Sequence, residues 1–111
     1  MSGPPVVIWR AIPGVERYEV SIDGRVRHKD NQVPLRLQEN WKGYSCFYYR
    51  APGRYKRRKK MFVHRAVALA FVPNPRELPS VDHRDRDRSN NWWLNLEWAC
   101  PMRQNNNRSY R

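Results

Sequence analysis

The dipeptide Asp23-Gly24 lies between two short runs of alternating apolar and polar residues, at positions 18–22 and 25–28. Alternation with a period of two is typical of a strand with one buried face, and Asp-Gly favours the two-residue turn of a β-hairpin. The sequence therefore predicts an antiparallel hairpin in which Val26 faces the core. Its neighbours Arg25 and Arg27 would then share the opposite, solvated face.

A second hairpin is predicted further along the chain. Residues 43–50 are rich in the aromatic residues that favour strands, Pro52-Gly53 turns the chain, and residues 55–63 return it. The polar stretch at 29–40 between the hairpins is interpreted as a loop or an irregular edge strand.

The period of the apolar residues changes at Val63. Apolar residues recur every four positions from Val63 to Phe71, and Pro73 ends the pattern, so residues 64–72 are predicted to form a short buried helix. His64 near its start is expected to pack or to hydrogen-bond locally, with metal binding as the alternative. These elements predict an α+β fold with N-terminal β-hairpins and a short central helix.

The chain is strongly basic. It carries 22 Lys and Arg against 10 Asp and Glu, for a formal net charge of +12, while 40% apolar residues are enough for one folded unit of 111 residues. Such a field attracts polyanions, of which nucleic acid is the commonest, although an anionic membrane surface would feel the same attraction. No apolar run is long enough to span a bilayer and no signal peptide is recognisable, so a cytoplasmic protein without a membrane partner is expected.

Basic residues concentrate on the two predicted hairpins. We expect DNA contacts from Arg25, Arg27, Arg54, Lys56, Arg57, Arg58, Lys59, Lys60 and Arg84. The dense run at 54–60 repels itself unless counterions or a nucleic-acid backbone neutralise it. The alternative is that these groups only keep a strand face and a hairpin tip solvated.

An acidic residue stands beside an imidazole at Asp82-His83. Neighbours on a strand point to opposite faces, so both side chains can serve one site only where the strand ends or bends. A polar loop over 84–91, a return strand over 94–99 and a helix over 102–108 are predicted to follow. Strand, loop, strand and helix in this order fit a ββα-metal arrangement.

Four short motifs carry a family resemblance: Val81-Asp82-His83-Arg84-Asp85, Ser89-Asn90-Asn91, Asn95-Leu96-Glu97-Trp98 and Gln104-Asn105-Asn106-Asn107-Arg108. They resemble the HNH endonucleases, in particular the phage and intron-homing branch. Residues 63–71 look like the helix that precedes the motif in that branch. Residues 9–14 and 18–27 resemble the NUMOD-type DNA-binding module often found ahead of it.

The resemblance implies a role for each motif residue. His83 would be the general base that takes a proton from water, and Asn95 would brace the loop that holds it. Asp82 would bind one divalent metal ion, Mg²⁺ or Mn²⁺ or another, that stabilises the leaving 3′ oxygen. The other protein ligand would come from the C-terminal helix, where Asn105 is favoured by residue type and Gln104 is the alternative by spacing.

The chain departs from the family pattern at Arg86, where the family usually has Gly, so the turn after Asp85 is expected to differ. Asp85 is interpreted as an Asx residue that braces the loop, with a metal role as the alternative. Residues 1–60 would form a NUMOD-like β-rich DNA-binding region and residues 61–111 the HNH nuclease region, in one compact unit.

Together these features predict a metal-dependent endonuclease that hydrolyses phosphodiester bonds of double-stranded DNA. Nicking and double-strand cleavage both stay open, as do a monomer and a homodimer. A phage origin, with action in the host cell, fits the same resemblance. The alternatives are a non-catalytic basic DNA-binding protein that retains the HNH fold and an RNA-binding protein, which has no reason to place these residues at this spacing.

Overall fold

The first sheet is built around the hairpin at Gly24. The computed structural model describes residues 7–51 and 57–100. Strands β1 (Trp9–Ile12), β2 (Val15–Ser21) and β3 (Val26–His28) form an antiparallel sheet in the order β1-β2-β3. Gly24 supplies the positive φ of +93° that the turn between β2 and β3 needs. Val26 is buried as predicted, so this hairpin is confirmed.

The second sheet contains the second predicted hairpin. Strands β4 (Gln38–Glu39), β5 (Ser45–Arg50) and β6 (Arg58–Phe62) are antiparallel in the order β4-β5-β6. The predicted turn at Pro52-Gly53 lies outside the described residues. The stretch predicted as a loop or irregular edge strand contributes only the two-residue edge strand β4.

The helix α1 (Val63–Phe71) follows β6 without an intervening loop and begins one residue earlier than predicted. Its buried face packs into the core formed by both N-terminal sheets and the C-terminal hairpin. The boundary expected between the DNA-binding region and the nuclease region, after residue 60, would fall inside β6. Among the residues that the structure describes, no helix is long and apolar enough to cross a membrane.

The last described unit is a hairpin of β7 (Ser80–His83) and β8 (Leu96–Ala99). The return strand begins two residues later than predicted, because residues 93–95 form a 3₁₀ turn closed by the Asn95 N–H donating to the Trp92 carbonyl at 2.8 Å. Trp98 ties the hairpin to α1, since its Nε1 donates to the Val72 carbonyl at 3.0 Å. The helix predicted over 102–108 lies outside the described residues.

The order of elements confirms the predicted α+β class, with β-hairpins first and a short helix in the middle. The arrangement places the end of β7 beside the start of α1 and the turn between β2 and β3. The start of α1 and, through Asn91, the turn between β2 and β3 therefore lie close to His83, although both are far from it in sequence.

Candidate functional site

Asp82 and His83 lie at the end of β7. The strand register pairs Asp82 with Glu97 and His83 with Leu96. Because side chains alternate along a strand, Asp82 shares a hairpin face with Glu97, while His83 lies on the face of the buried Leu96. The sequence required that the strand end or bend here if Asp82 and His83 are to serve one site. β7 does end at His83.

The imidazole of His83 is held by Asn91. The Nε2 atom lies 2.8 Å from Oδ1 of Asn91, whose side chain is only 7% exposed. An amide oxygen can only accept a hydrogen bond, so in the neutral imidazole Nε2 carries the proton and Nδ1 keeps its lone pair. The arrangement therefore prepares Nδ1 to accept a proton. The sequence pointed to Asn91 only as part of a motif, without a role for it.

Asn95 fastens the loop that follows His83, residues 84–91, here called the His83 loop. Its Oδ1 accepts from the Asp85 N–H at 3.1 Å, and its Nδ2 donates to Oδ1 of Asp85 at 2.9 Å and to the Asn90 carbonyl at 2.8 Å. Its own carbonyl accepts from the Arg84 N–H at 2.7 Å. One carboxamide thus closes both ends of the loop onto the start of β8.

Asp85 is the centre of hydrogen bonds within the loop. Its carboxylate accepts from Nδ2 of Asn90 at 2.8 Å and from the Asp87 N–H, also at 2.8 Å, which is an Asx turn. The hydrogen bonds from Asn90, Asp87 and Asn95 lower the pKa of this carboxyl below its usual range. Both carboxylate oxygens of Asp85 therefore serve the loop.

Arg86 occupies a left-handed backbone position with a φ of +64°. Its N–H donates to the His83 carbonyl at 3.1 Å and closes a tight turn directly after the strand. Such a conformation costs a non-glycine residue roughly 1–2 kcal/mol. A residue other than glycine therefore adopts the positive φ of this turn.

The rings of His64 and Tyr44 pack against His83. The His64 ring lies 4.9 Å from the His83 ring, and the Tyr44 ring lies 5.2 Å from His64 and 6.0 Å from His83, measured between centroids. Burial, then the neighbouring His83 and Arg65, lower the pKa of His64 from 6.5 to about 4. Its Nδ1 is buried without a hydrogen-bond partner among the described residues. His64 packs as a neutral ring, which agrees with the first of its two expected roles.

The N-terminal sheet also contacts the site. The Trp93 N–H donates to the Ile22 carbonyl at 3.0 Å. A Cβ atom on Gly24 would lie 2.9 Å from Cβ of Asn91 and 3.4 Å from Val63, so only glycine fits without displacement. The turn between β2 and β3 is thus packed directly on the residue that holds His83.

Arg25 and Arg27 differ in exposure, contrary to the sequence interpretation. Arg25 is exposed and lies 3.2 Å from Asp23. Arg27 lies 2.9 Å from Glu19, its partner across the hairpin, and 4.0 Å from the Trp9 ring, and its side chain is only 19% exposed. The expectation of a solvated Arg27 is wrong, because a cross-strand carboxylate and an indole cover it.

The other predicted DNA contacts lie on the second hairpin and after β7. The exposed members of the described chain are Arg57, Arg58, Lys59, Lys60 and Arg84. Arg54 and Lys56 lie outside the described residues. Arg84 lies 3.5 Å from Glu97 and keeps 58% of its side chain exposed. Together with Arg25, six of the predicted DNA-contacting side chains are therefore exposed to solvent.

Asp82 is the one expected metal ligand among the described residues. Within residues 7–51 and 57–100, no three His, Cys, Asp or Glu side chains cluster to hold an ion. Asp82 and Glu97 nevertheless face each other across the hairpin, and carboxylate oxygens are the donors that hard divalent cations prefer. The donor chemistry of Asp82 thus fits such an ion. Asn105 and Gln104 both lie outside the described residues.

Comparison with known proteins agrees with this geometry. Residues 8–61 match the NUMOD4 motif. The chain is 33% and 38% identical, over 85% and 83% of its length, to two uncharacterised HNH endonucleases of Acanthamoeba polyphaga mimivirus, L245 and L247. It is 34% identical over 82% of its length to the DNA endonuclease I-HmuI of Bacillus phage SP01.

The solved structure of the HNH homing endonuclease I-HmuI superimposes with a TM-score of 0.71, at 28% identity and over 94% of this chain. The chain is related to the HNH homing endonucleases. The predicted resemblance to this family and to its NUMOD-type module is thereby confirmed. This HNH-related chain spans 51% of the I-HmuI sequence and 27% and 23% of the two mimivirus relatives.

Proposed function

We propose that this HNH-related chain hydrolyses phosphodiester bonds of double-stranded DNA, with His83 as the general base. The observation that carries the proposal is the 2.8 Å contact between Nε2 of His83 and Oδ1 of Asn91. It selects the tautomer in which Nδ1 can accept a proton, which is what activation of a water molecule requires.

The residues around His83 support its task. His64 and Tyr44 cover one side of the imidazole with neutral rings, which limits its rotation. Asn95 holds the His83 loop closed, so the backbone at His83 is fixed as well. A base that is already oriented loses little entropy when the reaction begins.

Asp82 would hold a divalent cation together with Asn105, or with Gln104 in its place. When bound, Mg²⁺, Mn²⁺ or a similar ion supplies positive charge next to the phosphate and the leaving 3′ oxygen. Asp82 contributes an oxygen donor on the hairpin face opposite that of His83, at the point where β7 ends. His83 and Asp82 can then divide proton transfer and cation binding between them.

The DNA would be bound by the basic surface. The net charge of +12 and the exposed cations of β6 and Arg25 favour the phosphate backbone. I-HmuI, which shares the fold, is named for DNA binding and cleavage. A single site cuts one strand, so a monomer would nick and a homodimer could cut both strands. Action on DNA in the cytoplasm of a host cell fits the viral and phage relatives.

A plasmid nicking assay tests the proposal. The chain should convert supercoiled to nicked plasmid with Mg²⁺ or Mn²⁺ and should stop with EDTA. His83→Ala should lose at least about 100-fold in rate while its DNA affinity, measured by fluorescence anisotropy, stays within twofold or so. His28→Ala is the matched histidine control, because His28 packs on Tyr18 in the first sheet.

Salt-sensitive DNA binding without metal-dependent nicking would instead indicate a non-catalytic DNA-binding protein that retains the fold. Equal nicking by the wild type and His83→Ala, both free of contaminating nuclease, would refute His83 as the base.

A further inference from the structure

Trp41 is the most exposed of the large apolar side chains in the described chain, with 89% of its surface accessible. Trp92 follows among the tryptophans at 40%, and Trp9, Trp93 and Trp98 are all half-buried. An indole is a costly group to leave in water, because full burial of a large apolar side chain gains roughly 1.5–3 kcal/mol. Trp41 therefore has contact surface that the fold itself does not use.

A rigid turn, residues 40–44, presents Trp41. Oδ1 of Asn40 accepts from the N–H groups of Lys42 and Tyr44, both at 3.0 Å. The Gly43 N–H donates to the Asn40 carbonyl at 3.0 Å, and Gly43 has the φ of +88° that closes the turn. These hydrogen bonds order the backbone that carries the indole, so little backbone entropy remains to be lost on binding.

The turn is also attached to the candidate nuclease site. Nη1 of Arg88, in the His83 loop, donates to the Lys42 carbonyl at 2.8 Å, and the Arg88 guanidinium lies 5.0 Å from the Tyr44 ring. Tyr44 in turn packs against His83, with the ring centroids 6.0 Å apart. The backbone that carries Trp41 is therefore tied to the loop that follows the proposed catalytic base.

Charge at the turn favours nucleic acid as the partner. The Lys42 ammonium lies 5.0 Å from the Trp41 ring. A shallow surface depression beside the turn is lined by three exposed cations, Lys42, Arg86 and Arg88, and by two exposed carboxylates, Glu39 and Asp87, so the cations are in excess by one charge. An aromatic face next to cations suits the two chemical parts of DNA, the base and the phosphate.

We propose that Trp41 is a DNA-contacting residue that inserts its indole against a base near the bond to be cut, while Lys42 and Arg88 contact the adjoining phosphates. The inference rests on the proposed function for its ligand, duplex DNA, and adds a contact outside the predicted basic residues. Side chains that insert between base steps open the stack and bend the duplex locally. Trp41 would thereby help to expose the target phosphate to His83.

The test uses the full chain with His83→Ala, so that no cleavage occurs. A mixed-sequence duplex with 2-aminopurine in one strand, tested at successive positions, reports opening of the stack by its fluorescence, and anisotropy reports affinity. Trp41→Ala should weaken binding at least about fivefold, the effect of losing one stacked base, and abolish the 2-aminopurine signal. Trp41→Phe should restore most of both.

A charge variant separates stacking from simple attraction. Trp41→Ala should leave the dependence of affinity on salt unchanged, whereas Lys42→Gln should reduce the slope of log affinity against log salt by about 1. Equal affinity and equal 2-aminopurine signal for Trp41→Ala and its parent would overturn the proposal. So would a flat 2-aminopurine response at every position in the parent.

Failure here is distinct from failure of the proposed function. Loss of the Trp41 effect leaves the metal-dependent nicking assay untouched. Conversely, a protein that never nicks DNA but shows the Trp41 effect would refute the nuclease alone. Trp41 is almost fully exposed, so its variants should keep the thermal unfolding midpoint of their parent.

Discussion

Nε2 of His83 lies 2.8 Å from Oδ1 of Asn91, and Asn91 is itself packed against Gly24 in the turn of the first hairpin. The proposed base is therefore oriented by a side chain whose own position depends on the N-terminal sheet. The orientation of the proposed base and the packing of the N-terminal sheet are thus coupled through a buried carboxamide.

The first prediction concerns this carboxamide. Asn91→Ala removes the acceptor that selects the tautomer of His83, so we expect the single-turnover nicking rate to fall about 10–100-fold, in the range known for residues that orient a functional histidine. DNA affinity should change little. Asn74→Ala is the matched control, because Asn74 also uses its carboxamide internally, on the backbone of Leu78. A rate loss of the same size in Asn74→Ala would contradict the positioning role.

The second prediction concerns acid stability. The pKa of His64 is about 4 in the folded chain and about 6.5 in the unfolded chain, so the unfolded state binds more protons between these values. The free energy of unfolding should therefore fall as the pH falls from about 6.5 towards 4, by up to about 3 kcal/mol from this group. Urea unfolding of His64→Phe, which keeps a ring but cannot titrate, should lose this slope.

His28→Phe serves as the control for that series and should retain the acid slope of the wild type. Equal slopes for the wild type and His64→Phe would show that another group is responsible.

The third prediction compares two glycines with positive φ. An alanine at Gly14 meets nothing within 4 Å, whereas at Gly24 it meets Asn91 at 2.9 Å. Gly14→Ala should cost only the backbone strain, roughly 1–2 kcal/mol in the free energy of unfolding. Gly24→Ala should cost more and should also reduce the nicking rate per folded molecule. Equal effects of the two substitutions on rate would exclude coupling through this contact.

The fourth prediction concerns the left-handed residue of the His83 loop. Arg86→Gly removes the strain of a φ of +64° and should raise the free energy of unfolding by up to about 1 kcal/mol. Arg86→Val introduces a β-branched residue that resists this φ and should lower it by a similar amount. Chemical denaturation measures both changes. A destabilised glycine variant would mean that the Arg86 side chain contributes more than its backbone strain costs.

Local patterns were sufficient for most of the architecture. Neighbouring residues alone were enough to predict the hairpin around Asp23-Gly24, the helix from the apolar residues spaced by four after Val63, and the strand β7. The errors were small and had local causes. The start of β8 shifted because the chain near Asn95 forms a 3₁₀ turn, and that carboxamide ties the loop to the strand.

The candidate site was harder, because its contacts join residues far apart in sequence. Asn90 and Asn91 are chemically identical, but Asn91 is the one that packs against Gly24 of the first hairpin and contacts His83. Nothing local placed His64 against His83. Arg27 was predicted to be solvated, but its ion pair with Glu19 and its contact with the Trp9 ring leave it half-buried.

The sequence by itself thus determined the element types, the family resemblance and the residues able to do the chemistry, since these follow from residue type and spacing. The tertiary structure alone decided which of those residues meet, which tautomer His83 adopts and which cations remain in water. These outcomes depend on packing, because burial and hydrogen bonding are set by neighbours that spacing along the chain does not reveal.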